Sequence, residues 1–451
     1  MRICYYGDDF TGSTDVLEAL TRGGLRVILF MEVPDKALWD AKFAGYDGFG
    51  VAGVSRTMRP DEMERALPEV FKALRVFGAP ITHYKVCSTF DSSPETGSIG
   101  KVIELAQKHF PDRPYIPVIA GSPVLGRYTV FGNHFAAVGD HAVRLDRHPN
   151  LRKHPITPMN EADLRLHLAR QTELTIELMD IISLEQEGEL LEEAYRKLLA
   201  KQPDIVLFDV LNERHLRSIG ALLTRESGKT PLFAAGSSGV EYALVAHWQS
   251  TGELPSEYLM APADAVDRLL VISGSCSPVT QAQIEWALAH GFTGIKVPAE
   301  LCMAEDDEAS EALAPFLEQA SRLLGVGHSV ILYTALGPED DAIERTQAML
   351  RERGRSTAAS GELIGRRLGA LARELILRTK VRRLVLAGGD TSGFAASQLN
   401  LYALEMIAPV VPGGPLCRAY SEDERLDGLE VVLKGGQVGP PDFFERVRTG
   451  G

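Results

Sequence analysis

Short apolar runs rich in Val, Ile, Leu and Phe recur along the whole chain, and most of them end in a turn containing Gly or Ser. Between them lie longer stretches whose apolar positions return with helical spacing. Alternation of these two periods is the α/β signature. The pattern predicts strands over 2–6, 25–30, 49–54, 82–87, 115–120, 204–210 and 231–235, then a second series over 269–273, 294–297, 329–334, 383–387 and 430–434. Helices are expected between them, for instance over 14–22, 60–74, 184–199, 280–289 and 361–377. The stretch 250–265 (STGELPSEYLMAPADA) has little periodicity, carries Pro255 and Pro262, and stands immediately before a fresh strand. It reads as a linker. The expected architecture is therefore two α/β domains with mainly parallel sheets facing across an inter-domain cleft, over 1–255 and 266–451, with the cleft as the default ligand site.

Length agrees with this division, since 451 residues is about three times the usual single-domain size. Charge narrows the partners. Forty-seven Lys+Arg against sixty-one Asp+Glu give a formal net charge of −14, which repels nucleic acid and anionic membrane. The same field repels an anionic small molecule, so any anion site has to be built from local groups. The five cysteines are scattered singly, without a CxxC or a Cys/His cluster, which points to neither a disulfide framework nor a zinc site. The opening MRICYYGDDF has acidic residues where a secretory signal needs an apolar run. A soluble cytoplasmic protein is expected.

Candidate chemistry gathers at strand ends. The first strand runs into Gly7-Asp8-Asp9-Phe10-Thr11-Gly12-Ser13, placing two carboxylates and two hydroxyls where open α/β sheets bind ligands. Asp, Thr and Ser before a helix also serve as N-caps, but two adjacent carboxylates, with Asp15 nearby, exceed what one cap requires. Near residue 85 the chain reads His83-Tyr84-Lys85-Val86-Cys87-Ser88-Thr89-Phe90-Asp91-Ser92-Ser93. A lysine at a strand end, followed by hydroxyls and an Asp, suits an oxygen-rich anion, although such a loop can also cap its own helix. Arg56, just beyond another strand, has the fork to clamp a carboxylate.

Glycine-rich turns cluster in the second half. Ser273-Gly274-Ser275-Cys276-Ser277-Pro278, Gly388-Gly389-Asp390-Thr391-Ser392-Gly393 and Lys434-Gly435-Gly436-Gln437-Val438-Gly439 each follow a strand. Such turns expose backbone amides to polyphosphate without needing basic charge. Tight strand-to-helix turns need Gly for steric reasons as well, so their number counts for more than any one of them. GxxxxGK[ST] is absent, no GxGxxG follows the first strand, and there is no GxSxG. Walker-type NTPases, dinucleotide enzymes and α/β-hydrolases are disfavoured accordingly.

Taken in order, these motifs resemble those of the four-carbon acid sugar kinases, along nearly the whole chain. Asp8-Asp9-Phe10-Thr11-Gly12 is similar to that family's opening element. His154-Pro155-Ile156-Thr157-Pro158-Met159 resembles its central turn, and Gly236-Ser237-Ser238-Gly239 its Gly-Ser-x-Gly turn. The three glycine turns above, with Pro412-Gly413-Gly414-Pro415, resemble its nucleotide-domain signatures. One loop departs from the pattern. Where the family has Lys-x-x-Asp-Ser-Thr-x-Arg-Gly, this chain keeps Lys85, shifts the Asp to Asp91 and has Ser92 in place of the Arg.

The resemblance implies an N-terminal sugar-acid domain and a C-terminal ATP domain, and a kinase that phosphorylates a hydroxyl of a four-carbon or branched 3-oxo acid such as threonate, 3-oxo-tetronate or 3-oxo-isoapionate. Asp9 is the expected base, with Asp91 second. Asp8, Thr11, Arg56, Lys85, Ser88, Thr89 and Ser92 are expected to contact the acid. Gly274, Ser275, Ser277, Gly388, Gly389, Asp390, Thr391, Ser392, Gly414, Lys434, Gly436 and Gly439 are expected around ATP, with Mg²⁺ bridging its phosphates and no dedicated protein metal site. A homodimer is left open. The alternatives are a non-catalytic sugar-acid sensor, against which the glycine turns argue, and an aldolase, epimerase or dehydrogenase for similar acids.

Overall fold

The computed structural model describes residues 1–112, 115–153, 156–304, 306–355 and 359–451. His154 and Pro155 of the central turn lie outside the described residues, as does the side chain of Asp390. The chain forms two compact units, Met1–Tyr258 and Leu259–Gly451.

The first unit is built on strands β1 (Ile3–Gly7), β2 (Val27–Phe30), β3 (Gly48–Ala52), β4 (Ile81–Lys85) and β5 (Ile116–Ile119). After a small sheet of β6 (Arg127–Val130), β7 (Asn133–Val138) and β8 (His141–Arg144), the main sheet continues with β9 (Ile176–Met179), β10 (Ile205–Phe208) and β11 (Leu232–Gly236). Its order is β2-β3-β1-β4-β11-β5-β10-β9, with every neighbouring pair parallel. Strands such as β5 and β10 are buried at every residue, which is why they read as continuous apolar runs rather than alternating ones, whereas β4 is buried throughout yet carries Thr82, His83 and Lys85. Their helices carry ordinary signals: Asp9 caps Phe10–Arg22, Pro60 opens Pro60–Val76, and Ser98 caps Ile99–His109.

The second unit contains β12 (Leu270–Ser273), β13 (Thr293–Lys296), β14 (Val330–Tyr333), β15 (Arg383–Ala387), β16 (Leu401–Val411), β17 (Gly414–Ser421) and β18 (Glu430–Lys434). Their order is β13-β14-β12-β15-β18-β17-β16, parallel from β13 to β18 and antiparallel through β17 and β16. Val271, Ile331, Val385 and Val432 meet Phe443, Phe444 and Val447 of the C-terminal helix in one core cluster.

The mixed α/β class is as expected, but two hairpins go beyond it. β6 and β7 join through Phe131-Gly132, both at positive φ (51° and 80°), the geometry of a tight two-residue hairpin turn. β16 and β17 join through Pro412-Gly413, and Pro409 and Pro415 inside the runs obscure them as strands. Among the described residues no helix is long and apolar enough to cross a membrane.

Candidate active site

In the first unit β1 is flanked by β3 and β4, and the chain passes from β3 to β4 across it. That switch in strand order opens a crevice at the carboxyl ends, where ligands bind in such sheets. Backbone bonds carry the adjacency past the strands: Gly53 N donates to Gly7 O at 2.8 Å, Arg56 N to Asp8 O at 3.1 Å, and Asp8 N to Lys85 O at 2.9 Å. Asp8, Asp9, Thr11, Arg56 and Lys85 therefore meet in one cluster.

Arg56 is the hub. Its Nε and Nη2 donate to Asp8 Oδ2 and Oδ1 at 3.2 and 2.8 Å, and its Nη1 donates to Asp9 Oδ2 at 2.8 Å. Nη2 also lies 2.8 Å from Asp9 Oδ1. Asp9 accepts further from Thr11 Oγ1 at 2.7 Å and, as the helix N-cap, from Gly12 N at 2.8 Å. Burial would raise both carboxyls. It prevails at Asp8, which is pushed up, whereas Arg56, Lys85 and the hydrogen bonds hold Asp9 below the usual carboxylate range. Lys85 Nζ sits 3.6 Å from Asp15 Oδ2; burial works against its charge, and Asp15, Asp9 and Asp8 together keep it above its ordinary value.

The loop after β4 carries the second group. Thr89 Oγ1 donates to Asp91 Oδ1 at 2.9 Å and is its hydrogen-bond donor among the described residues. Cys87 Sγ lies 2.9 Å from Thr89 Oγ1, and burial pushes its thiol up to about 11, the behaviour of an inert cysteine. Ser92 turns inward, bonded to Phe90 O, His167 and Gln171, so it fastens the loop. The Ser88 carbonyl accepts from His134 Nε2 at 2.8 Å, and His134 Nδ1 is 2.9 Å from Thr129 Oγ1, which ties the loop to the β6–β7 hairpin. Asp209, at the end of β10, anchors that hairpin by accepting from Phe131 N and Gly132 N at 2.6 and 2.9 Å.

Burial lowers His134 and His167 to about 4 each, so both are neutral at pH 7. The unfolded chain, with imidazoles near 6.5, takes up these protons first, so their contribution is complete above about pH 6.5 and declines toward pH 4 by up to about 1.4 kcal/mol per unit per group. His134→Asn should destabilise at pH 7, with the gap to wild type narrowing as pH falls from 7 to 4. Urea midpoints across that range check this, and a constant gap contradicts it.

In the second unit three adjacent strands, β12, β15 and β18, end in the three glycine turns. Gly388 N donates to Lys434 O at 3.0 Å, Gly274 N to Ala387 O at 3.2 Å, and Thr280 Oγ1 to Gly436 O at 3.0 Å; Ser277 Oγ also bonds Gly436 O. Gly388 has φ +129°, and a Cβ there would lie 2.3 Å from Thr391 Oγ1, while around Gly389 there is open space. Gly388 caps the helix Gly389–Ala396 with no side-chain bond, so first-turn amides remain available to an anion. Such a cradle fits nucleotide phosphates. Ser275, Ser277 and Thr391 line it, whereas the Ser392 hydroxyl folds back on Gly389 O. Lys434 Nζ is buried against Thr280 Oγ1 and Gly435 O, and burial lowers it to about 7. Gly414 and Gly439 press against Phe443, which gives them a packing role at the edge of this region.

A polar, charge-dense strand-end site in one α/β unit and an amide cradle in the other are the parts a small-molecule kinase needs, and comparison with known proteins gives that class. Residues 3–244 match the model of a sugar-binding N-terminal domain and residues 270–444 that of a nucleotide-binding C-terminal domain. The chain belongs to the four-carbon acid sugar kinase family. It is 45% identical over 448 residues to a 3-oxo-isoapionate kinase of Paraburkholderia graminis, covering 99% of this chain and 94% of the relative. It is 32% identical to a 3-oxo-tetronate kinase of Methylobacterium radiotolerans, covering 97% and 96%. A Salmonella typhimurium crystal structure described as a tRNA synthase superposes with TM-score 0.78 at 24% identity, over 99% of this chain and 98% of that one, a likeness of fold alone. The protein is a sugar-acid kinase, and the non-catalytic sensor finds no support.

Proposed function

We propose that this kinase transfers the γ-phosphoryl group of ATP to a hydroxyl of a 3-oxo sugar acid in the cytoplasm, with 3-oxo-isoapionate the leading substrate. The observation that carries the substrate choice is the 45% identity across 99% of the chain, against 32% for the 3-oxo-tetronate kinase.

Residue roles follow from acceptor capacity. The four donor contacts on Asp9, from Gly12, Thr11 and two nitrogens of Arg56, occupy the lone pairs of a carboxylate. Asp91, bonded among the described residues to Thr89 alone and half-buried, keeps room for a proton. Asp91 therefore takes the base role ahead of Asp9, and Asp9 organises Arg56 and the helix start. The substrate oxygen attacks the γ-phosphorus, the bond to the β,γ-bridging oxygen breaks to release ADP, and the hydroxyl proton passes to Asp91. Ser88 and Thr89 address substrate hydroxyls. Gly389 and Gly436 offer amides to the phosphates, while the Gly274 and Gly388 amides donate to Ala387 O and Lys434 O and hold the turns together. Ser275 and Thr391 hydroxyls suit Mg²⁺, which supplies charge neutralisation when bound with the nucleotide.

Assaying ADP release on a panel of four-carbon and branched 3-oxo acids tests this. The expected result is a kcat/KM for 3-oxo-isoapionate about tenfold or more above 3-oxo-tetronate, on the scale of one lost polar contact. Preference for the tetronate overturns the substrate, and ATP consumption with no acid on the panel overturns the role. In the cradle, Gly388→Ala forces a side chain into a left-handed conformation and onto Thr391, so ADP affinity should fall roughly tenfold or more while response to the acid persists. Calorimetric ADP titration measures it, and unchanged affinity would remove Gly388 from the phosphate site.

A further inference from the structure

Charge counting at the acid site leaves a gap. Arg56 and Lys85, the two cations expected to hold the substrate carboxylate, are both engaged by protein carboxylates: Arg56 by Asp8 and Asp9, Lys85 by Asp15. Three carboxylates against two cations make a cluster that repels an incoming anion at close range.

We propose that Arg127 is the residue that receives the carboxylate of the acid substrate, an inference that rests on the kinase reading above. Arg127 opens β6, and Thr129, two residues on and thus on the same face of the strand, bonds His134, whose other ring nitrogen bonds Ser88 O. That face is turned toward the Ser88–Asp91 loop. Asp91 of this loop acts electrostatically on Arg127, yet no carboxylate of the described residues forms an ion pair with it.

The guanidinium is held for use. Nη1 donates to Leu125 O at 2.9 Å and Gly126 O at 3.3 Å, which fixes the plane of the group. Its other edge is unpartnered: Nη2 makes no hydrogen bond among the described residues, and Nε is buried without a partner. The Nε–Nη2 edge is the one by which Arg56 grips Asp8, Arg144 grips Asp146 and Arg165 grips Asp163 in this same chain. An unpaired buried Nε–H is costly unless a ligand completes it, and a carboxylate completes both nitrogens at once. The chemistry recognised is a planar oxyanion beside hydroxyls, which matches a sugar acid and not the neutral sugar.

The test compares wild type, Arg127→Met and Arg127→Lys on the acid that wild type turns over and on its neutral primary amide. With the acid, Arg127→Met should raise KM about 30-fold or more with kcat within about threefold, the loss of a two-pronged charged contact. Arg127→Lys, which keeps the charge without the fork, should raise KM about tenfold. On the amide, wild type and both variants should agree within about twofold, which a merely structural Arg127 would not give. A folded Arg127→Met enzyme with KM for the acid unchanged overturns the proposal, as does equal loss on acid and amide. If the Met variant fails to fold, unchanged KM in Arg127→Lys overturns it equally. Thermal-shift titration with the acid needs no turnover, so it reads Arg127 even where the wild-type assay defeats the kinase reading itself.

Discussion

Asp91→Asn should lower kcat by about 100-fold or more, the usual scale for losing a general base, while ADP affinity changes less than about twofold. The substitution keeps size and one acceptor, so the hydrogen bond from Thr89 Oγ1 survives and the loop keeps its shape. What disappears is the site that accepts the substrate proton. The contrast with Asp9→Asn is the informative part. Asp9 has four donors on its carboxylate, and an amide in its place would turn an NH₂ group toward Arg56 in either orientation, together with Gly12 N or with Thr11 Oγ1. That variant should lose stability and acid binding together. Single-turnover phosphoryl transfer separates the two: Asp91→Asn slow in chemistry with normal binding, Asp9→Asn weak in binding with a lowered unfolding midpoint. If Asp91→Asn turns over at the wild-type rate and Asp9→Asn is slow in chemistry alone, the base is Asp9.

How far the sequence leads here depends on what kind of pattern carries each feature. Parallel strands such as β10 and β12 are buried at every residue and declare themselves as apolar runs, and the glycine turns behind β12, β15 and β18 are visible as composition. Arg56 could be singled out because it follows a strand closely. Its engagement by Asp8 and Asp9 could not, since that depends on β3 lying beside β1, a fact of strand order. Arg127 was out of reach for another reason. It sits in a four-residue strand of a small hairpin whose burial is partial, with no alternation long enough to register. A sequence signal did exist: Phe131-Gly132 between two β-prone runs is a two-residue hairpin loop, and it places Arg127 and Thr129 on one face. Gly414 and Gly439 show the converse limit. Glycine marks a place where something comes close, and for these two the close neighbour is Phe443.

Arg56→Met should destabilise the protein by about 3–5 kcal/mol, the scale for removing one partner of a buried ion pair. Asp8 and Asp9 are adjacent in sequence and nearly enclosed, with side-chain exposures of 4% and 11%, and Arg56 bonds both. Without it, burial and mutual repulsion raise both carboxyls, with Lys85 left as the nearby cation. The sign of the pH effect follows. In the variant these groups bind protons more tightly folded than unfolded, so their stability is full at low pH and lost as pH rises through the raised values. The deficit relative to wild type should therefore be greatest near neutrality and shrink toward about pH 5. Adding Asp8→Asn to Arg56→Met removes one of the two repelling charges and should recover part of the loss, a coupling that a double-mutant cycle reads directly. Guanidinium unfolding of the four proteins at pH 5 and 8 measures all of this, and a deficit independent of pH with no recovery in the double variant would show that Arg56 acts through packing rather than through charge.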